Sequence, residues 1–338
     1  MSTISEVAKK AGVSSTTVSH VINKTRFVSD ETRERVERAI AEMGYRPNAL
    51  ARSLRSGETC TIGLILPDSA NPFFAEVGRS IEMAAFEAGY SVILCNTEND
   101  IDKEHSYIDV LINKQIDGLI FVGAGEDYDS YKKLLDLHVH VVAMDRYYPD
   151  LDMDVVISDN LQGGKLATQH LIELGHKRIG CIVGPSKVNL SAQRVTGYIQ
   201  TLEQAGLSVD QNLIISGDFH PGSGQEAAIK LLAMQNPPTA IFACNDLMAI
   251  GVLRAGMELR LSIPQDLAVV GYDDIELASY TTPSLTTVRQ PKKDMGLAAL
   301  KFLLGRIHSE QSSPQRASLP VSLIVRGSCG GANGATRN

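Results

Sequence analysis

The 338-residue chain contains no tryptophan and no run of 18 consecutive apolar residues. The second absence argues against a membrane-spanning helix. Its five cysteines (Cys60, Cys95, Cys181, Cys244 and Cys329) are odd in number, far apart and free of any CxxC pair. Such spacing excludes a disulfide framework and a zinc site and leaves core thiols, so no metal is expected. The opening stretch "MSTISEVAKKAG" lacks the apolar core of a signal peptide, which places the chain in the cytoplasm by expectation.

A more local absence is informative. Residues 13–29, "VSSTTVSHVINKTRFVS", hold no carboxylate, although the whole chain carries a net charge of −7. Residues 1–58 hold ten Lys/Arg against seven Asp/Glu, whereas the remaining 280 hold 22 against 32. A small basic module on a large acidic body suggests an anionic partner for the module alone. What is present is ordinary for a soluble globular protein, 43% hydrophobic and 21% charged, at a length that calls for two or three domains.

In "ISEVAKKAG" the residues Ile4, Val7, Ala8 and Ala11 repeat at helical spacing up to Gly12. A second helix follows, with Ser14 or Ser15 as its cap and Val18, Val21 and Ile22 on one side. Thr16, Thr17, Ser19, His20 and Asn23 are left facing outward. "VSDETRERVERAIAEMGY" reads as a third helix, capped by Ser29, with Asp30 and Glu31 at its positive end and Gly44 terminating it. Two short helices joined by a tight turn and braced by a third form a helix-turn-helix pattern, with a plain three-helix bundle carrying a polar face as the alternative. Hydroxyls and an imidazole on the outward face suit base edges and phosphates, where a carboxylate would be repelled. After Pro47, about two turns of helix from Asn48 to Arg55 set Leu54 between Arg52 and Arg55. That is the composition of a minor-groove wedge, or of a linker leucine packing on the next domain.

The stretch from Ile4 to Thr59 resembles the headpiece of the LacI/GalR family of bacterial transcription regulators, and the resemblance extends to the last ten or so residues. Within the family, "STTVSHVINKTRFV" is similar to the ribose-repressor and purine-repressor branches. The resemblance implies that Ser15, Thr16, Thr17, His20, Asn23, Arg26 and Tyr45 face DNA, joined by Arg52, Leu54 and Arg55 from a hinge helix. It also implies a homodimer on a palindromic double-stranded operator.

From Thr61 short apolar runs alternate with helical patterns, the mark of parallel sheets. The candidate strands are "TIGLILP", "SVILCN", "GLIFVG", "HVVAMD", "VVISD", "RIGCIVG", "LIISG", "AIFACN" and "LAVVGYD", enough for two doubly wound lobes. The expected fold is therefore an all-α headpiece (1–46) and hinge (47–58), then a two-lobed α/β, periplasmic-binding-protein-like domain (59–328). Its first lobe spans about 60–159 and 291–321, its second about 160–288 and 322–328, with a disordered glycine-rich tail at 329–338. The tail has no leucine heptads, which favours a dimer over a tetramer within this family.

Polar residues gather just past the strand ends: Asp68, Asn71, Asn96, Asp145–Arg146, Asp159–Asn160, Ser186, Asn245–Asp246 and Asp273–Asp274. Open α/β sheets bind ligands there, although a helix cap explains any single Asp or Asn equally well, and Asp246 reads as such a cap. Carboxylates, planar guanidinium groups and flat apolar rings together suit a sugar with vicinal hydroxyls. The family resemblance implies a ligand set of Asn71, Phe73, Phe74, Asp145, Arg146, Arg194, Phe219, Asn245, Asp273 and Gln290. It points to a small sugar effector, D-ribose, and to no cofactor. The purine branch would place Arg and Thr near 188–190, where this chain has Val188 and Leu190.

Other signals carry less. "GAGED" at 123–127 lacks the full G-x-G-x-x-G spacing. "HVH" at 138–140 lacks a third metal ligand. Adjacent Asp273 and Asp274 point to opposite sides of a strand, so one is expected to bind ligand and the other to brace. A transport-associated sugar-binding protein would carry no headpiece, and a sugar enzyme would need a catalytic dyad that the sequence does not assemble.

Overall fold

The computed structural model describes residues 2–23, 26–45, 58–122, 133–134, 136–137, 139–145, 153–185, 189–309 and 313–330. It divides into two compact units, Met1–Thr59 and Cys60–Asn338.

The first unit holds α1 (Ile4–Ala11), α2 (Ser15–Asn23) and α3 (Asp30–Met43). Thr3 and Glu6 form a reciprocal capping box at the start of α1, and Gly12, at φ +66°, ends it in the left-handed conformation. The Ser14 hydroxyl accepts the Thr17 N–H at 3.1 Å, so Ser14 is the cap of α2. Val7, Ala8, Ala11, Val18, Val21, Val36 and Ala39 are buried together as the core of the unit. Two expectations change here. Ser19 is buried, because it lies about 60° around the helix from Ile22 and the packed stripe is wide enough to include it. Ser29 occupies the N-cap position of α3 but donates its hydroxyl to Thr32 Oγ1 at 2.9 Å rather than capping the backbone.

The second unit contains two six-stranded sheets. The first comprises β1 (Thr61–Leu66), β2 (Ser91–Asn96), β3 (Gly118–Phe121), β4 (His140–Met144), β5 (Asp154–Ser158) and β11 (Arg316–Leu319). Its order is β11-β5-β4-β3-β1-β2, with every pairing parallel. The second comprises β6 (Ile179–Val183), β7 (Ile214–Ser216), β8 (Ala240–Ala243), β9 (Ala268–Asp273), β10 (Thr286–Arg289) and β12 (Ser322–Ile324). Its order is β12-β10-β9-β8-β6-β7, and only the β10–β12 pairing is antiparallel.

The covering helices are α4 (Pro72–Glu87), α5 (Ile101–Asn113), α6 (Asn160–Glu173), α7 (Asn189–Gln204), α8 (Pro221–Leu232), α9 (Asp246–Glu258), α10 (Leu277–Tyr280) and α11 (Lys292–Ile307). The chain crosses between lobes three times: from β5 into α6, from β10 into α11, and from β11 to β12. No helix among the described residues is long and apolar enough to cross a membrane.

All nine strands read from apolar runs are present. β10, β11 and β12 carry no such run. In β10, Thr286 and Thr287 are fully buried but satisfied by side-chain hydrogen bonds, the Thr287 hydroxyl to Asp246 at 2.5 Å. β11 and β12 are edge strands whose side chains are half-buried or exposed, so polar residues suffice there. The tail boundary also moves: Cys329, placed in the disordered tail by sequence, is buried within a short 3₁₀ turn at Gly327–Cys329, with Sγ 3.0 Å from Thr286 Oγ1. Residues 331–338 lie outside those described.

The backbones of α6 and α7 touch. A Cβ on Gly164 would lie 2.1 Å from the Arg194 carbonyl oxygen, and one on Gly197 would lie 2.3 Å from that of Leu161. Only glycine permits this approach, which sets the height of Arg194 above the second sheet. Gly164→Ala is expected to destabilise the fold by about 1–3 kcal/mol through overpacking. Urea denaturation measures this, and an unchanged midpoint would contradict the close approach.

Candidate functional site

In the first unit, Ser15 and Thr16 are exposed at the start of α2, and Arg26 is exposed in the loop after it. Thr17 and His20 are half-buried, and the Thr17 hydroxyl lies 2.9 Å from that of Ser14. Tyr45 packs against the three-helix core, so its ring contributes to the fold as well as to the surface. Asn23 ends α2, and its side chain lies outside the described residues, as do Arg52, Leu54 and Arg55 of the hinge. The outward face of α2 is thus a carboxylate-free row of hydroxyl and imidazole groups.

Between the lobes of the second unit lies a cavity of about 400 Å³. From the first lobe it is lined by Asp68, Asn71, Phe73, Phe74, Asn99 and Asp145. From the second lobe and the crossing segment come Ser191, Arg194, Asp218, Phe219, His220, Asn245, Asp273 and Gln290. Nine of the ten residues in the expected ligand set therefore meet in one place. The tenth, Arg146, lies outside the described residues, as do Ser186, Val188 and the Leu190 side chain.

The lining is fixed from behind. Arg194 donates Nε–H to Asn160 Oδ1 at 2.7 Å and Nη1–H to the Cys244 carbonyl at 2.5 Å. Its guanidinium carbon sits 3.8 Å above the centre of the Tyr272 ring, and Nη1 lies 3.9 Å from Asp273 Oδ1. Gln290 donates to Asp273 Oδ1 at 2.7 Å while its own Oε1 accepts from Ser158 at 2.5 Å. Asn160 donates to Ser158 Oγ at 3.3 Å, which closes a ring of five buried polar side chains across two interlobe crossings. Sequence reasoning found Asn160 only as a strand-end polar residue and missed Ser158, because neither lines the cavity.

Several lining residues are partly committed already. Asn245 accepts from Met248 N–H at 2.9 Å, capping α9, and donates to the Phe219 carbonyl at 2.9 Å. Its first task is to hold Phe219, at φ +70°, over Gly184, where a Cβ would fall 2.0 Å from the ring. Asn71 caps α4 through its oxygen, which accepts Phe73 N–H at 3.0 Å and leaves the amide N–H groups for a ligand. Phe73 and Phe74 meet edge to face at 5.0 Å.

Asp246 is not the cap the sequence suggested. It is fully buried and bound by Ile275 N–H and the Thr287 hydroxyl. Asp273 and Asp274 divide as expected: the first faces the cavity, and the second is clamped by Arg289 and Arg326, each at 2.6 Å.

Four of the lining residues hold left-handed backbone without being glycine: Asn99 at φ +59°, Asp145 at +53°, Phe219 at +70° and Asp273 at +114°. Each such residue costs about 1–3 kcal/mol and persists only where surrounding contacts dictate it. Burial pushes the Asp273 carboxyl up to about 7, against the opposing effects of Arg194, the Gln290 N–H and Lys292. Asp246 behind it is raised too, by burial first and by the Asp273 charge next. The described residues contain no group of three or more His, Cys, Asp or Glu side chains placed to hold a metal ion.

Residues 3–48 match the family model for bacterial regulatory proteins of the lacI family, and residues 168–329 match that for a periplasmic binding protein-like domain. The ribose operon repressor of Escherichia coli K12 is 43% identical over 330 residues, covering 97% of this chain and all of that one. The chain belongs to the lacI family of bacterial regulatory proteins. Its similarity to the HTH-type transcriptional repressor PurR of Klebsiella pneumoniae is as high, 43% over 329 residues and 96% of each chain. Among solved structures, the Lac repressor dimer bound to operator and the anti-inducer ONPF superposes with a TM-score of 0.87 at 29% identity, covering 97% of this chain and 99% of that one. A LacI family regulator from Enterococcus faecium with bound ribose gives 0.73 at 30% identity over 79% of this chain and 98% of that one.

The raised Asp273 carboxyl makes stability depend on pH in the ligand-free protein. Its proton is held more tightly folded than unfolded, so the stabilisation is full below the ordinary value of 3.8 and is lost as pH rises to about 7. Asp273→Asn is expected to flatten that part of the decline between pH 4 and 7, read from denaturation midpoints across the range. An identical slope in both proteins would place the Asp273 titration elsewhere.

Proposed function

We propose that this chain is a sugar-responsive transcriptional repressor that leaves a palindromic operator when D-ribose binds between its lobes. The observation that carries this reading is the cavity itself. Arg194, Asp145 and Asp273 offer donors and acceptors for vicinal hydroxyls, and Phe73, Phe74 and Phe219 offer flat faces for the C–H side of a sugar. Its volume of about 400 Å³ lies within the range of small-molecule sites.

The charges favour a neutral ligand. Among the described residues, Asp68, Asp145 and Asp218 line the cavity with Arg194, and Asp273, at about 7, adds part of a further negative charge, a surplus that disfavours a sugar phosphate. The site holds a ligand and does no chemistry on it. The ribose operon repressor and the ribose-bound relative support the sugar assignment, while the equal similarity to PurR makes a purine the rival effector.

We read the working form as a cytoplasmic homodimer, joined to the nucleoid when bound to DNA. Met83 and Phe86 on α4, Leu94 on the edge strand β2, and Leu277 and Tyr280 on α10 are apolar side chains left 50–76% exposed, as a partner-facing surface requires. A dimer presents two headpieces about 34–36 Å apart to successive major grooves. Leu54 from each hinge serves as the wedge at the central base step. Sugar-driven lobe closure opposes hinge pairing, and a coupling of about 1–3 kcal/mol weakens operator binding roughly 5–150-fold.

Fluorescence anisotropy of a labelled palindrome at one fixed salt concentration tests this, with D-ribose and hypoxanthine titrated in parallel. Release by ribose alone is expected. Tightening by hypoxanthine would replace the sugar reading with corepression by a purine. In the same assay, His20→Ala should relax preference at one half-site position by about 1–3 kcal/mol. A flat loss across single-base operator variants would instead make His20 a phosphate contact.

A further inference from the structure

Lys292 is a buried lysine that the effector site does not use directly. It is the first residue of α11, just past the β10 crossing, and it is 8% exposed. A lysine is seldom so buried unless its charge is met, and here the ammonium has two carbonyl acceptors and a carboxylate countercharge. Nζ donates to the Asp273 carbonyl at 3.2 Å and to the Asp274 carbonyl, and it forms an ion pair with Glu76 Oε2 at 3.1 Å. The two carbonyls belong to the second lobe, and Glu76 belongs to α4 of the first.

Asp273 and Asp274 are consecutive residues with positive φ, +114° and +52°. Two such residues in a row turn neighbouring carbonyls toward one point, and the ammonium occupies that point. The same turn delivers the Asp273 side chain into the cavity. On the other side, Glu76 is less than one turn beyond Phe73 and Phe74, which line the cavity from the first lobe.

We propose that Lys292 is a positioning residue for Asp273, and that through Glu76 it couples the effector-facing turn of the second lobe to the first turns of α4 in the first. The proposal deepens the effector-cleft reading and rests on it for the identity of the ligand. The ammonium neutralises the outward carbonyl dipoles of the strained turn and fixes the carboxylate's aim. A change in the angle between lobes must stretch either the carbonyl contacts or the Glu76 pair, so closure and the placement of Asp273 are one event. The charged and titratable groups around Asp273 are Arg194 from α7, Asp246 from α9, Lys292 from α11, Asp145 beyond β4, Tyr272 from its own strand and Asp274 just after it.

Full-length protein labelled with ¹³C-aspartate gives the Asp273 carboxyl titration by NMR, assigned by its loss in Asp273→Asn. Lys292→Met keeps the stem and removes the charge. It should raise the Asp273 midpoint by about one pH unit, as loss of a nearby cation does. Glu76→Gln leaves the cation less neutralised and should move the midpoint down, by a smaller amount. These opposite signs separate positioning from mere packing, and Glu76→Gln decides the matter should Lys292→Met not fold. Unmoved midpoints in the folded variants overturn the proposal.

Calorimetry with D-ribose, and with hypoxanthine as the alternative probe, reads the coupling in parallel. The ligand that binds wild type should bind Lys292→Met roughly five-fold more weakly at pH 7, the fall in ionised Asp273 when a midpoint near 7 rises by about one unit. Wild-type affinity in that variant overturns the proposal. If wild type binds neither probe, the effector reading fails on its own, and the ligand-free titration still decides the role of Lys292.

Discussion

The second unit is organised around one buried charge. Arg194 is 5% exposed, and a cation taken out of water is tolerated only if its donors and its charge are both met. Asn160 and the Cys244 carbonyl take the donors, the Tyr272 ring lies beneath the plane, and Asp273 supplies the countercharge. These partners come from α6, the end of β8 and the end of β9, so the requirement of one side chain fixes the relative heights of three elements. Burial opposes the charge, but Tyr272, Asp273 and Asp145 outweigh it and keep Arg194 protonated. The glycines of α6 and α7 follow from the same constraint, since a larger residue at 164 or 197 would lift Arg194 out of reach.

The ring that joins Arg194 to Asp273 through Asn160, Ser158 and Gln290 passes through two of the three interlobe crossings. A buried ring of four hydrogen bonds closed by an ion pair is costly to open at any single member. The lobes are therefore connected by a short polar bracket as well as by covalent chain. Left-handed backbone at Asn99, Asp145, Phe219 and Asp273 adds pre-organisation, because surrounding contacts hold these cavity-lining residues in a strained conformation.

Much of this was legible in the sequence. Helical spacing and caps located the headpiece helices, and apolar runs located nine strands, because a strand covered on both faces must be apolar throughout. Strand-end polar residues gave the cleft, since parallel α/β sheets place their loops there. The losses have physical causes. β10, β11 and β12 are either internally hydrogen-bonded threonines or half-exposed edges, and neither leaves an apolar signature. Asn245 and Gln290 line the cavity as expected, and they also brace Phe219 and Asp273, a second role set by three-dimensional hydrogen bonding that periodicity does not carry. Ser19 and Asp246 were misplaced for the same reason: a small hydroxyl and a satisfied carboxyl can be buried without any change in periodicity.

The dependence of the cleft on a planar, fully engaged guanidinium is tested most directly by calorimetric titration of D-ribose into Arg194→Lys. Lysine keeps the charge but cannot reach Asn160, the Cys244 carbonyl and a ligand together. The expected result is a protein with a retained fold by circular dichroism and no measurable heat of ribose binding. Wild-type affinity in that folded variant would show that the sugar site is not built on Arg194.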